Sequence, residues 1–194
     1  MFGVVLGACN NDKSLFIQGF MGGISFKHHH KGFASHLITL EDKVEEDLTL
    51  IEDLPEPKII RPNNIDIYFI LLDLRNSDVK LKHEISYFLK QIKQQGNPEA
   101  LRIILGNRFD TTLYDAQYDH LLRLVCSNME GLSKEKQRIY FLDLEINFNV
   151  EEIIKRSITA LLMLKKGKKD GHTALEDKGA KLIARFKSFI EKRL

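Results

Sequence analysis

The chain has 194 residues, a formal net charge of +2, 43% apolar residues and 29% charged ones. That length suits one domain with a sizeable core, and no stretch approaches the ~20 apolar residues of a membrane-spanning helix. The first apolar run is too short and too poor in basic residues to read as a signal peptide. With no C-x-x-C spacing, Cys9 and Cys126 are expected as reduced thiols of the cytosol or nucleus.

The first element expected is a strand over residues 2–6, followed by Gly7-Ala8-Cys9-Asn10-Asn11-Asp12-Lys13-Ser14 and a helical pattern from Leu15. This is the outline of strand, phosphate loop and helix, G-x-x-x-x-G-K-[ST], with Asp12 in place of the second glycine. Such a loop works by aiming backbone N–H groups and a helix dipole at an anion. A carboxylate at that point opposes the anion. At an effective dielectric near 20, unit charges ~4 Å apart repel by ~4 kcal/mol, enough to cancel much of what Lys13 contributes. Two readings stand: a loop that still holds a nucleotide, and one that keeps the turn and has lost the ligand.

Gly22-Gly23 ends the first helix, and Lys27-His28-His29-His30-Lys31-Gly32 reads as a solvated loop. Successive side chains of an extended segment point opposite ways and do not converge on one metal. Residues 33–40 and 48–51 read as a strand pair joined by an acidic turn over 41–47, and Pro55 and Pro57 then interrupt pairing. Residues 65–74 form an apolar run typical of a strand buried on both faces, and residues 78–95 carry the helical stripe Leu81, Ile85, Phe88, Leu89 and Ile92. Gly96-Asn97-Pro98 stops that helix.

A strand over 101–105, a helix over 115–127, a strand over 139–144 and a helix over 150–164 follow. Leu122 and Cys126 are expected on the buried face of the third helix. Asp66 and Asp73 flank an apolar strand, where hydrogen bonding at the strand ends is expected rather than acid–base work. Residues 167–171 form a basic linker before an amphipathic helix over 173–194, whose stripe is Leu175, Leu182, Ile183, Phe186, Phe189 and Ile190. The division is a domain over 1–165 and a basic linker with helix over 166–194. Strands alternating with helices imply an α/β fold with a mainly parallel sheet covered on both faces.

Four further motif positions follow in order. A switch threonine would fall near His30, where none is certain. Asp53-Leu54-Pro55-Glu56 stands where D-x-x-G would organise the metal and the terminal phosphate; the aspartate is present and the glycine is a glutamate. Asn107-Arg108-Phe109-Asp110 follows a buried strand as N-K-x-D would, with arginine for lysine and Asp110 placed to accept from guanine. Asp143-Leu144-Glu145 stands where S-A-K would cover the base. Order and spacing resemble a Ras-like small GTPase over residues 1–165. The damaged phosphate and metal elements imply no hydrolysis, no catalytic residue and no bound cofactor or metal, with Gly7, Asp12, Lys13, Ser14, Asp53, Asn107, Arg108, Asp110, Asp143 and Glu145 as a vestigial nucleotide site.

A second resemblance lies in mid-chain. Leu54-Pro55-Glu56-Pro57, Arg61-Pro62 and Ile65-Asp66-Ile67 leading into a long apolar strand, with Tyr140-Phe141-Leu142-Asp143-Leu144-Glu145 further on, resemble the centromere protein M family. These are small-GTPase-like subunits of the inner kinetochore that have lost nucleotide binding. The resemblance implies a nuclear, centromeric scaffold in the constitutive centromere-associated network, assembling with centromere proteins I, H and K in chromosome segregation. The surfaces offered for partners are the loop with Pro55, Pro57, Arg61 and Pro62, and the final helix with Phe186, Phe189 and Ile190. This chain keeps Lys13, Ser14 and a near-complete N-K-x-D where that family is more degraded. An atypical GDP/GTP-binding switch is therefore the alternative. Lys165, Lys166, Lys168, Lys169, Lys178, Lys181, Arg185, Lys187, Lys192 and Arg193 read as a solvated basic face, with an auxiliary DNA contact as the other reading; no membrane contact is expected.

Overall fold

The computed structural model describes residues 1–20, 33–40, 45–55, 60–129, 131–146 and 148–165. Within them six strands form one sheet: β1 (Phe2–Gly7), β2 (Phe33–Thr39), β3 (Glu45–Glu52), β4 (Ile67–Asp73), β5 (Leu101–Asn107) and β6 (Gln137–Leu142), in spatial order β2-β3-β1-β4-β5-β6. Four helices accompany it: α1 (Asn10–Phe20), α2 (Asp78–Gln95), α3 (Tyr114–Ser127) and α4 (Val150–Lys165). Only β2 is antiparallel to its neighbour; β3, β1, β4, β5 and β6 run parallel. The expected α/β class with a mainly parallel sheet is what the chain adopts. The expected helix over 173–194 lies outside the described residues, as do Pro57 and the three successive histidines.

The apolar runs explain the layering. Strands covered on both faces need continuous hydrophobic sequence, and β4 and β5 are buried along nearly their whole length. Alternate residues then serve opposite cores. Val4, Leu6, Tyr68, Ile70 and Ile104 pack with α2 and α3, while Val5, Phe69, Leu71, Ile103 and Leu105 pack with α1 and α4. The apolar stripe read on α2 faces the first of these cores, with Leu81, Ile85, Phe88, Leu89 and Ile92 all buried.

Three details differ from the sequence expectation. The acidic stretch before Leu48 is strand, not turn: Glu45, Glu46 and Asp47 pair with Thr39, Ile38 and Leu37. An edge pair with one open face tolerates charged residues that alternate outward. β6 ends at Leu142, so Asp143 lies just past it, in a bridge to Phe148. Cys126 is exposed and Leu122 is among the exposed large hydrophobics. The buried face of α3 runs through Tyr114, Leu121 and Val125 instead, one residue earlier on the helical wheel, which turns the thiol outward.

The link from β3 to β4 is unlike the other parallel connections. Its described part contains only a single 3-10 turn, Pro62–Asn64, whereas α2, α3 and α4 precede or follow each later strand. Parallel strands are ordinarily joined by a helix that covers the sheet face, and the described residues of this link lay none on the α2-side face beyond β1.

Gly106 sits on β5 where an added Cβ would lie 3.0 Å from two carbons of the Phe141 ring and 2.9 Å from Leu74 Cδ1. The ring therefore rests directly on the strand backbone. Around it Tyr114, Phe109 and Tyr118 have ring centroids at 4.9, 5.6 and 6.2 Å. This aromatic cluster anchors the loop that leaves β5.

Candidate functional site

The carboxyl ends of parallel strands are where α/β proteins place ligands, and there β1, β3, β4 and β5 present Gly7, Asp53, Asp73 and Asn107. The expected phosphate loop is not built. β1 ends at Gly7, only Ala8 and Cys9 intervene, and α1 begins at Asn10, five residues before the helical pattern expected from Leu15. Lys13 N–H donates to Cys9 C=O at 3.3 Å, so a backbone donor that a phosphate loop would aim at an anion is spent inside the first helical turn. Without the second glycine, Asn10, Asn11 and Asp12 continue as helix, since a helix needs no special backbone freedom there. Gly7 serves packing: a Cβ on it would meet Leu71 Cβ at 3.2 Å.

That early helix start turns Asp12 inward. Its residue is 4% exposed, and its carboxylate accepts from Arg108 Nη1 and Nη2 at 2.8 and 3.0 Å and from Asn107 Nδ2 at 3.2 Å. The two-pronged guanidinium–carboxylate pair is the strongest side-chain geometry available to these groups. Arg108 also donates to Asp73 Oδ2 at 3.2 Å and, through Nε, to Glu145 Oε1 at 2.9 Å. Its guanidinium is held charged well beyond its ordinary range, first by the hydrogen bonds it donates to Asp12, against some opposition from burial. Asn107, fully buried, uses its other side-chain atom to accept from Leu144 N–H at 3.1 Å, tying the end of β5 to the segment after β6.

The remaining residues expected at a nucleotide site are paired in the same way. Lys13 Nζ lies 2.6 Å from both carboxylate oxygens of Asp53, and Ser14 Oγ donates to Glu52 Oε1 at 2.9 Å. Asp110 Oδ1 accepts from the Thr112 N–H and hydroxyl at 2.8 and 2.7 Å, bonds that lower its pKa. Asp143 Oδ1 accepts from Glu145 N–H at 3.0 Å. The structure thus brings Asp12, Lys13, Ser14, Asp53, Asn107, Arg108 and Glu145 to one end of the sheet, and leaves Asp110 and Asp143 shaping their own turns. Asp53 and Arg108 both have φ of 60°, a left-handed backbone that costs a non-glycine residue ~1–2 kcal/mol. Their carboxylate and guanidinium contacts offset that strain.

Sequence reading missed Asp73, Arg75, Lys80 and Glu84 as members of this corner. Asp73 was expected to hydrogen-bond at the strand end, which it does by accepting from Arg75 N–H at 3.0 Å; Asp66 likewise accepts from Phe2 N–H at 3.0 Å. Burial pushes the Asp73 carboxyl up, but the Arg75 hydrogen bonds and the Arg108 charge outweigh it and leave the pKa lowered. Nothing in the spacing of residues 73–84 announces a site, because the grouping arises where β4 meets α2.

Among the described residues of this corner, the carboxylates of Asp12, Glu52, Asp53, Asp73, Glu84 and Glu145 outnumber the cations Lys13, Arg75, Lys80 and Arg108. A polyphosphate would meet net negative charge. The cavity between Cys9, Asp12, Asp73, Asn76 and Glu84 is about 120 Å³, room for a few waters; an open groove of about 580 Å³, lined by Gly7, Ala8, Asp53, Lys80 and Glu84 among others, adjoins it. No group of three or more His, Cys, Asp or Glu among the described residues is placed to hold a metal ion. No helix among them is long and apolar enough to cross a membrane.

Glu84 is the strained member. It is buried, its Oε1 has no hydrogen-bond partner, and Lys80 Nζ stands 4.0 Å away. Burial raises its pKa, with Lys80 opposing. A folded-state pKa above the unfolded one means the native state binds the extra proton, so this contribution to stability is present below the unfolded value and is lost as pH rises through the folded value. Glu84→Gln, which removes the charge and keeps the shape, is expected to raise the melting temperature at pH 7–8, with the gain fading toward pH 4.5. Thermal melts of both proteins across that range check it.

No family model and no curated protein matches this sequence.

Proposed function

We propose that this chain is a non-catalytic, small-GTPase-like interaction subunit whose nucleotide site is closed by its own carboxylates. The observation that carries this is Asp12, buried in the first turn of α1 and clasped by Arg108 and Asn107. An internal carboxylate engages the cation that stands where the base-site lysine would be. Lys13 and Ser14, the motif's phosphate and metal groups, are held by Asp53 and Glu52.

The strand order, with its single antiparallel edge pair, is the one expected of a Ras-like fold, and supports that finer description. On the resemblance of residues 54–67 and 140–145 to the centromere protein M family, the working place proposed is the inner kinetochore in the nucleus, with centromere proteins I, H and K as partners. Of the proposed partner loop, Pro55 is half-buried, Arg61 is exposed and Pro62 opens the 3-10 turn, so this corner is available at the surface. Phe186, Phe189 and Ile190 lie outside the described residues.

The test is isothermal titration of the purified chain with GDP and GTP in the presence of magnesium, after checking for co-purified nucleotide. No heat of binding is expected at millimolar nucleotide. Asp12→Gly is expected to bind no better, because the Lys13–Asp53 pair remains. Micromolar binding by the native chain would overturn the proposal in favour of a nucleotide switch.

A further inference from the structure

A sheet edge presents a row of backbone donors and acceptors, and natural proteins blunt it with charges, proline, bulges or covering groups. β6, at one edge, is blunted. Arg138 Nη1 donates to the Gln137 C=O at 2.7 Å, Asn149 Nδ2 donates to the Phe141 C=O at 3.1 Å, and the Asp143–Phe148 bridge follows directly. β2, at the other edge, carries no such device in its strand. Its seven residues, Phe33 to Thr39, include no charged residue, proline or glycine. They pair with β3 in an unbroken register from Phe33↔Ile51 to Thr39↔Glu45, so no bulge turns the edge away. Among the described residues β3 is its only strand partner.

We infer that β2 pairs edge to edge with β2 of a second copy of this chain, running antiparallel, so that two six-stranded sheets become one. Charge selects both the occupant and the direction. Lys27 and Lys31 precede Phe33 in the sequence, and Lys31 is tethered to it through Gly32 alone. At the other end of β2, Glu45, Glu46 and Asp47 stand on β3 opposite Thr39, Ile38 and Leu37. Antiparallel self-pairing brings the basic flank of each copy toward the acidic end of its partner, twice over, whereas parallel self-pairing would set like charge against like. The paired strands themselves hold no charge to oppose the contact.

The faces agree as well. A two-fold axis normal to the sheet keeps the α1 side of both copies on one face. Ala34 and Ile38, buried on that side, then continue a single apolar row across the seam. The exposed Ser35, which donates to Asp47 Oδ1 at 3.0 Å, falls on the polar face of both. None of the groups gathered at the carboxyl ends of the strands takes part, so the pairing stands or falls apart from the proposed function.

Sedimentation equilibrium of the full chain tests this. A monomer–dimer equilibrium is expected in the micromolar range, weakening ~fivefold as salt rises from about 0.05 to 0.5 M and screens the flanking charges. Ser35→Lys sets a like charge in the strand of both copies and is expected to weaken the dimer ~fivefold or more, with a thermal melt to show that the variant is folded. Spin labelling supplies an independent reading. In a Cys9→Ser/Cys126→Ser background, with both native thiols exposed, a nitroxide on Ser35→Cys is expected to give an intermolecular distance below ~30 Å. That bound comes from the ~4.8 Å strand spacing, a few residues of slip at ~3.4 Å each and the label arms. A chain that stays monomeric up to millimolar concentration would overturn the inference. So would a dimer that Ser35→Lys leaves intact or whose labels lie farther apart, since either puts the interface elsewhere.

Discussion

Replacing Arg108 by methionine is expected to destabilise the fold by about 3–5 kcal/mol, the cost of stranding one member of a buried ion pair. Methionine keeps most of the side chain's bulk, so the loss reports charge and hydrogen bonding. Asp12 would retain only the 3.2 Å contact from Asn107, with its carboxylate still out of water. The reverse change, Asp12→Ala, is expected to cost less, because Arg108 keeps Asp73 and Glu145. Urea unfolding at pH 7 of both single variants and the double variant checks the asymmetry. The double variant is expected to be more stable than the sum of the single losses, by ~1–3 kcal/mol, as befits residues in direct contact. Additive losses would show that the pair is not the unit that closes the site.

Phe141→Ala is expected to cost about 3–5 kcal/mol, through lost apolar burial and an incompletely collapsed cavity. The ring is 2% exposed and touches Phe109, Tyr114 and Tyr118. With no side chain on Gly106, nothing on the strand beneath can swing in to fill the space. Because Phe109 follows Arg108 directly, the variant is also expected to loosen the 107–110 loop. Hydrogen exchange there should quicken more than in α1, which packs on the opposite face with Phe69 and Leu71. Phe141→Leu, closer in volume, should lose ~1–2 kcal/mol.

How much of the site was legible in the sequence differs from residue to residue. The motif order located Lys13, Asp53, Asn107 and Arg108 at one end of a parallel sheet, because strand–loop–helix succession places all such loops on the same side. The opposing charge of Asp12 was also legible. Its partner was not: Asp12 and Arg108 are 96 positions apart, and no local pattern relates them. Cys126 was misplaced for a related reason. α3 is apolar along a broad arc, so which edge of it turns inward is settled by the aromatic cluster it meets, not by its own periodicity.

By itself the sequence determined the α/β class, the five buried or half-buried parallel strands and the core stripe of α2, because hydrophobic period and chain breaks are local properties. It also determined that an acidic residue would stand in the phosphate loop. Only the tertiary structure decided that α1 starts at Asn10 and folds the loop away. It also decided that Asp12, Asp53 and Glu52 take up Arg108, Lys13 and Ser14, and that Asp73 and Glu84 join them. Those outcomes depend on groups brought together from separate strands, where a buried charge must find an opposite charge or a hydrogen bond within ~3 Å.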